Sequence, residues 1–125
     1  MVKFYKCMHC GSVVAKLNEV GPIPVCCGEA MKELKAGVVE ASLEKHIPVA
    51  KIEGDKVEVV VGSVIHPMEE KHFIEWIYLE TEKGGSFFFL KPGEEPKACF
   101  ALLPGEKPLA VYAYCNPHGL WKSEL

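Results

Sequence analysis

Arginine is missing from this sequence: all 14 cationic side chains are lysine. Without a guanidinium fork there is no bidentate reader of guanine or phosphate, and a formal net charge of −3 supplies no basic stripe. Nucleic acid is therefore not expected as a partner. Long apolar runs are missing too. None approaches the length that crosses a bilayer, and the start, Met1 to Cys7, has no apolar signal core. The expectation is a cytoplasmic protein with no membrane partner. No solenoid repeat and no low-complexity tract is visible, and helix signals are weak; Glu29 to Lys35 reads as one turn or a strand.

What is present is an ordinary globular composition, 49% hydrophobic and 25% charged, in a chain of 125 residues. That length holds one domain, or one domain and a small stapled module. Residues 1–36 have the texture of such a module, with four of the six cysteines and the Gly21-Pro22-Ile23-Pro24 turn. So short a segment cannot offset its conformational entropy with a core alone, and a metal is the usual supplement. From residue 37 to 125 the pattern changes to β-type runs: Val38 to Leu43, Ile47 to Ile52, Lys56 to Val61, Phe73 to Thr81, Ser86 to Lys91, Lys97 to Leu103 and Leu109 to Tyr114. Turn dipeptides punctuate them, Gly54-Asp55, Gly84-Gly85, Pro92-Gly93 and Pro104-Gly105. Lys56-Val57-Glu58-Val59 alternates cleanly, whereas Phe73 to Leu79 is apolar on both faces, as in a central strand. The fold class expected is all-β, a small metal knuckle followed by a β-sandwich.

Six cysteines in a reducing compartment point to metal or redox chemistry rather than disulfides. Cys7-Met8-His9-Cys10 is a C-x-x-C knuckle, and Cys26-Cys27 supplies a second pair. Four thiolates suit tetrahedral zinc or a single iron. Adjacent cysteines diverge in an extended backbone, so Cys26 and Cys27 require a local distortion to reach one ion. Gly11 and Gly28, each following a pair, let the backbone turn there. His9 is read as an exposed bystander.

The other four histidines fall at His46, His66, His72 and His118, and Cys115 lies three residues before the last of these. All sit at strand ends or turns, where ligands converge on a rigid sandwich. Four imidazoles and a thiolate leave a metal with an open position, which is a catalytic arrangement; iron fits that ligand mix better than copper.

Cys7-x-x-Cys10, Cys26-Cys27-Gly28-Glu29, Glu44-Lys45-His46-x-Pro48, His66-Pro67-Met68-x-x-Lys71-His72, Ile74-Glu75-Trp76-Ile77 and Cys115-Asn116-x-His118-Gly119-x-Trp121-Lys122 occur in this order. Together they resemble desulfoferrodoxin, the two-iron superoxide reductase family. The resemblance implies a desulforedoxin-like domain over residues 1–36, with iron on Cys7, Cys10, Cys26 and Cys27, zinc being the alternative occupant. It also implies an immunoglobulin-like sandwich over residues 37–125 whose iron is held by His46, His66, His72 and His118 in the plane and Cys115 axially. Superoxide would be reduced to hydrogen peroxide, detoxifying it, with Glu44 and Lys45 flanking the open face. A rubredoxin-like electron donor and a homodimer are further implications. Ala30 departs from the proline the family often has there, and it touches no ligand position.

Lys45 has the charge to attract an anion, with Lys71 and Lys122 as secondary contributors to the field. Glu44 is a candidate sixth ligand. Cys99 reads as a buried strand thiol, Trp76 and Trp121 as packing around the site, and Glu69 and Glu70 as solvated loop charges. Two rival classes remain on the residues alone, an electron carrier and a zinc-stabilised binding module; visible colour and peroxide production separate them.

Overall fold

The computed structural model describes residues 2–37, 46–62, 67–116 and 119–125. The chain divides into two compact units, Met1–Lys35 and Ala36–Leu125. Among the described residues no helix is long and apolar enough to cross a membrane.

The first unit has little to bury. β1 (Lys3–Lys6) lies between β2 (Val13–Lys16) and β5 (Lys32–Glu33), and a separate hairpin joins β3 (Val25–Cys26) to β4 (Glu29–Ala30). Among the described residues Phe4 is buried, and a core cluster holds Tyr5, Cys7 and Met31 with Cys26 packed against it. Two of the four residues in that cluster are metal-ligand candidates, so knuckle and core share residues. Within Glu29 to Lys35 the chain forms two short strands, β4 and β5, and no helical turn.

The second unit is a sandwich of two antiparallel sheets. One sheet has the order β10 (Lys97–Ala101), β7 (Lys56–Val61), β6 (Pro48–Glu53); the other runs β12 (Gly119–Glu124), β11 (Pro108–Cys115), β8 (Ile74–Thr81), β9 (Gly84–Phe89). Alternation decides which residues meet. Val57, Val59, Val61, Ala98 and Phe100 face inward from the first sheet, against Ile77, Leu79, Val111 and Ala113 from the second. The Gly54-Asp55 dipeptide closes the β6–β7 hairpin, with Gly54 at φ 60° in the first central position where such a two-residue turn takes glycine.

Six of the seven expected runs coincide with β6 to β11, and Val38 to Leu43 lies outside the described residues. β12 was not anticipated, because Leu120 to Glu124 has neither clean alternation nor turn punctuation on both sides. β8 is apolar on both faces, as a central strand should be. Its outer face carries Trp76 and Tyr78, which join Tyr112, Tyr114, Phe87 and Phe89 in a row of ring contacts. Trp76 therefore stacks on Tyr114, at 5.3 Å between centroids, in that outer row.

Two expectations fail. The first is Trp76, read as packing around the site, which lies on the sheet face opposite Cys115. The second is Cys99, which is exposed. In β10 the inward positions belong to Ala98 and Phe100, and a period of two leaves the residue between them facing solvent.

Candidate metal centres

The cysteine cluster is built by two tight turns. Leaving β1, the chain places Cys7, and the amide of Gly11 donates to its carbonyl at 3.0 Å while the Cys7 amide donates to the Ser12 carbonyl. Gly11 stands at φ 80°, which lets the loop reverse. Within the turn the Cys10 amide donates to the Cys7 sulfur at 3.4 Å.

The second turn solves the problem of adjacent cysteines. Cys26 ends β3 and pairs with Glu29 of β4, so Cys27-Gly28 is a two-residue hairpin loop. Both stand at positive φ, 54° and 74°, the pairing of the turn that suits the strand twist. Cys27 is the one described non-glycine residue in that left-handed region, which costs about 1–2 kcal/mol at a residue with a Cβ. That is the distortion the sequence demanded, and it carries Cys27 round to its neighbour.

The ligand sulfurs of Cys7, Cys10, Cys26 and Cys27 all lie within 4.8 Å of one another. Cys10 and Cys26 sulfurs are 3.7 Å apart and those of Cys26 and Cys27 4.0 Å. Ligands about 2.3 Å from a central ion at tetrahedral angles stand about 3.8 Å apart, so these spacings fit one ion and are far from a disulfide bond. None of the six cysteines is in a disulfide.

Electrostatics agrees. The Cys7 thiol is pulled down to about 6 by the amides of Cys10 and then His9, whereas Cys26 is pushed up to about 12 by hydrogen bonding with the Cys10 and Cys7 sulfurs. Cys27 is raised by the same neighbours. Crowded sulfurs retain protons, and a cation can take the protons' place. His9 is exposed as expected, yet it makes a contact: its Nε2 lies 2.7 Å from Glu29 Oε2, tying the first turn to the β3–β4 hairpin.

The second cluster lies in the sandwich. His46, His72 and Cys115 bring their ligand atoms within 4.8 Å of one another, with His46 and Cys115 buried and His72 half-buried. Ligands about 2.1 Å from one ion stand about 3 to 4.2 Å apart, so the three can share an ion. Glu44, Lys45, His66 and His118, the other residues expected here, lie outside the described residues.

Each of the three is placed by a strand end. His46 precedes β6; Cys115 closes β11 with Gly119 as its partner on β12. His72 owes its face to a bulge. Tyr114 pairs with Trp76 but Cys115 with Ile74, leaving Glu75 as an extra residue in β8. Ile77 and Leu79 face the core, so unbroken alternation would send residues 74 and 72 outward. The bulge reverses that parity, and Ile74 joins the core beside Cys115, with His72 following on the same side.

Asn116 and Met68, to which the sequence reading gave no role, fix this corner through the backbone of Phe73 and Ile74. Asn116 Oδ1 accepts from the Phe73 amide at 3.0 Å, and the Asn116 amide donates to the Phe73 carbonyl at 3.2 Å. Met68 sulfur accepts from the Ile74 amide at 3.4 Å. Trp121 stacks on His46, as its reading as packing anticipated in kind. Asparagine directly after a strand-end cysteine was the available signal, since its side chain habitually satisfies neighbouring backbone. Lys122 is committed elsewhere, to Glu124 at 2.8 Å and the Tyr112 ring, while Lys71 is exposed.

Comparison with known proteins places these clusters in a lineage. The family model for desulfoferrodoxin matches residues 38–124, and that for the desulfoferrodoxin N-terminal domain matches residues 1–34. A desulfoferrodoxin from Nitratidesulfovibrio vulgaris is 48% identical over 122 residues, covering 98% of this chain and 95% of that one. A superoxide reductase from Pyrococcus horikoshii is 41% identical over 100 residues, covering 66% of this chain and 86% of that protein. The crystal structure of the superoxide reductase from Treponema pallidum superposes with a TM-score of 0.84 at 32% identity, covering 99% of this chain and 98% of that one.

Proposed function

The chain belongs to the desulfoferrodoxin family, and from that membership we infer how its two ligand clusters divide one reaction. It is a superoxide reductase: superoxide takes up one electron and two protons and leaves as hydrogen peroxide. The observation that carries this reading is the convergence of His46, His72 and Cys115 at the strand ends of a family sandwich.

The family and the two clusters support iron centres. We assign iron to both, with zinc the alternative at the cysteine cluster. The proposed ligands there are Cys7, Cys10, Cys26 and Cys27; those of the second site are His46, His66, His72, His118 and Cys115. When bound, ferrous iron supplies the electron. The chain's own residues do the rest. Buried Cys115 and His46 keep the ligand set out of bulk water. Lys45, beside His46 in sequence, is the proposed attractor of the superoxide anion, and Glu44 the proposed carboxylate that occupies the site between turnovers.

The proposed division of labour follows the domains: residues 1–36 hold an electron-passing iron, residues 37–125 the reactive one. A rubredoxin-like protein is the proposed donor. A homodimer is in keeping with β9, an edge strand among the described residues, where Phe89 is 73% exposed. Six cysteines outside any disulfide support a cytoplasmic location.

The test is stoichiometric. Reduced protein mixed with superoxide should yield one peroxide per superoxide and no dioxygen, from a preparation with two irons per chain. Dioxygen release in equal amount, or a colourless zinc protein, would overturn the reading. Cys115→Ser should lose the thiolate-to-iron absorption band and activity together.

A further inference from the structure

Trp121 is the largest side chain in the described chain to be fully removed from solvent. It is held by β12, opposite Ala113 of β11, and therefore on the sheet face that carries Cys115 two residues further along. Its indole lies on the His46 imidazole, with centroids 4.8 Å apart and planes 22° from parallel. His46 has a second near-parallel ring neighbour in His72, at 6.3 Å and 21°.

Two physical facts give that stack a purpose. The terminal torsion of histidine is broad, so a buried imidazole needs something outside itself to set its ring plane before it can present a nitrogen in a fixed direction. The indole N–H, moreover, is buried and has no acceptor among the described residues. An unsatisfied buried donor costs about 1–3 kcal/mol. Among the described residues no hydrogen bond accounts for this side chain, and the flat contact on His46 is the specific interaction its ring makes at the site.

We propose that Trp121 is a positioning residue of the histidine/cysteine site: it acts through His46, whose ring plane it sets so that an imidazole nitrogen meets the metal together with His72 and Cys115. The inference rests on the reading of His46 as a ligand. It extends that reading to a residue that touches neither metal nor superoxide.

The experiment uses the full chain with both irons loaded and follows their removal by a chelator. The thiolate-to-iron band reports the histidine/cysteine site, the absorption of the four-cysteine site controls for the first unit, and circular dichroism with the melting temperature controls for the fold of the sandwich that carries Trp121. Trp121→Leu removes the flat ring; Trp121→Phe also removes volume, though less, and keeps one. The leucine variant should lose iron from the histidine/cysteine site about 10- to 100-fold more readily, the scale seen for groups that orient metal ligands, with a shifted band and an unchanged four-cysteine site. The phenylalanine variant should recover most of that loss.

Wild-type chelator resistance in the leucine variant, or equal losses in both variants, would overturn the proposal, the second because lost volume alone would then explain the effect. Should the leucine variant fail to fold, the phenylalanine variant decides: a loss of about threefold or more confined to the histidine/cysteine site supports the proposal, and wild-type resistance with an unshifted band refutes it. His46→Ala, run in parallel, separates the two claims. If that variant still loads the site, the ligand reading falls and the Trp121 inference with it; if it fails to load while Trp121→Leu is unaffected, only the inference about Trp121 falls.

Discussion

Phe73 and Asn116 hold each other by two reciprocal hydrogen bonds, 3.0 Å from the Phe73 amide to Asn116 Oδ1 and 3.2 Å from the Asn116 amide to the Phe73 carbonyl. Each adjoins a proposed ligand, His72 on one side and Cys115 on the other. The pair thus ties together the two strand ends that carry these proposed ligands. Asn116→Ala leaves the part-buried Phe73 amide without its side-chain acceptor, a loss of about 1–3 kcal/mol. The expected outcome is a lower melting temperature together with faster chelator removal of iron from the histidine/cysteine site. An unchanged removal rate would show that the clamp stabilises the sandwich without setting the site.

Acid should strip the four-cysteine site, with a steepness that reports its thiols. Without metal, Cys26 holds its proton throughout the neutral range because its pKa stands at about 12, so loading must displace that proton and affinity falls as pH falls. Cys7, held down to about 6, is already a thiolate above that pH and adds a further proton to the exchange only below it. A plot of log affinity against pH should therefore gain one unit of slope below about pH 6. A metal titration showing constant slope across that range would contradict the assignment of Cys7 as the acidic member.

Lys45 is the proposed source of attraction for superoxide. Lys45→Ala is expected to slow superoxide consumption and to flatten its dependence on ionic strength, because a charge-steered encounter weakens as salt shortens the screening length to about 10 Å at 0.1 M. Pulse-radiolysis rates across a salt series provide the measurement; parallel curves for the variant and the parent would remove Lys45 from the mechanism.

Away from the metals, Gly85 lies beneath the Tyr78 ring, and a Cβ there would overlap the ring itself. Gly85→Ala forces a buried, rigid aromatic to move and should destabilise the sandwich by about 1–3 kcal/mol, read as a fall in melting temperature with iron content unchanged. Loss of iron at unchanged melting temperature would mean that the outer aromatic row is coupled to the site.

How much of this was legible beforehand differs between the two units. In the first, Cys7-x-x-Cys10 and Cys26-Cys27 announce their chemistry because a turn of a few residues supplies the geometry. Even the need for a local distortion at the Cys26-Cys27 pair followed from the fact that adjacent side chains diverge, with Gly28 as a place for the backbone to turn; that Cys27 itself takes the positive φ came from the structure. In the second, alternation located the strands, yet it misjudged Cys99, since a run apolar enough to be a strand does not say which of its two faces is covered. β12 escaped notice because its partner, β11, supplies the pairing that its own sequence does not advertise.

By itself, the sequence determined which residues could bind metal and where the strands and tight turns fall, because ligand chemistry, φ preference and side-chain period are local properties. Only the tertiary structure decided which face the candidate ligands among the described residues take. The extra residue at Glu75 reverses the parity of β8 and carries His72 to the side of Cys115, the Phe73–Asn116 bonds fix that corner, and Trp121 lays its ring on His46 from a different strand. Register, bulges and stacking arise between segments far apart in the chain, so no window of sequence contains them.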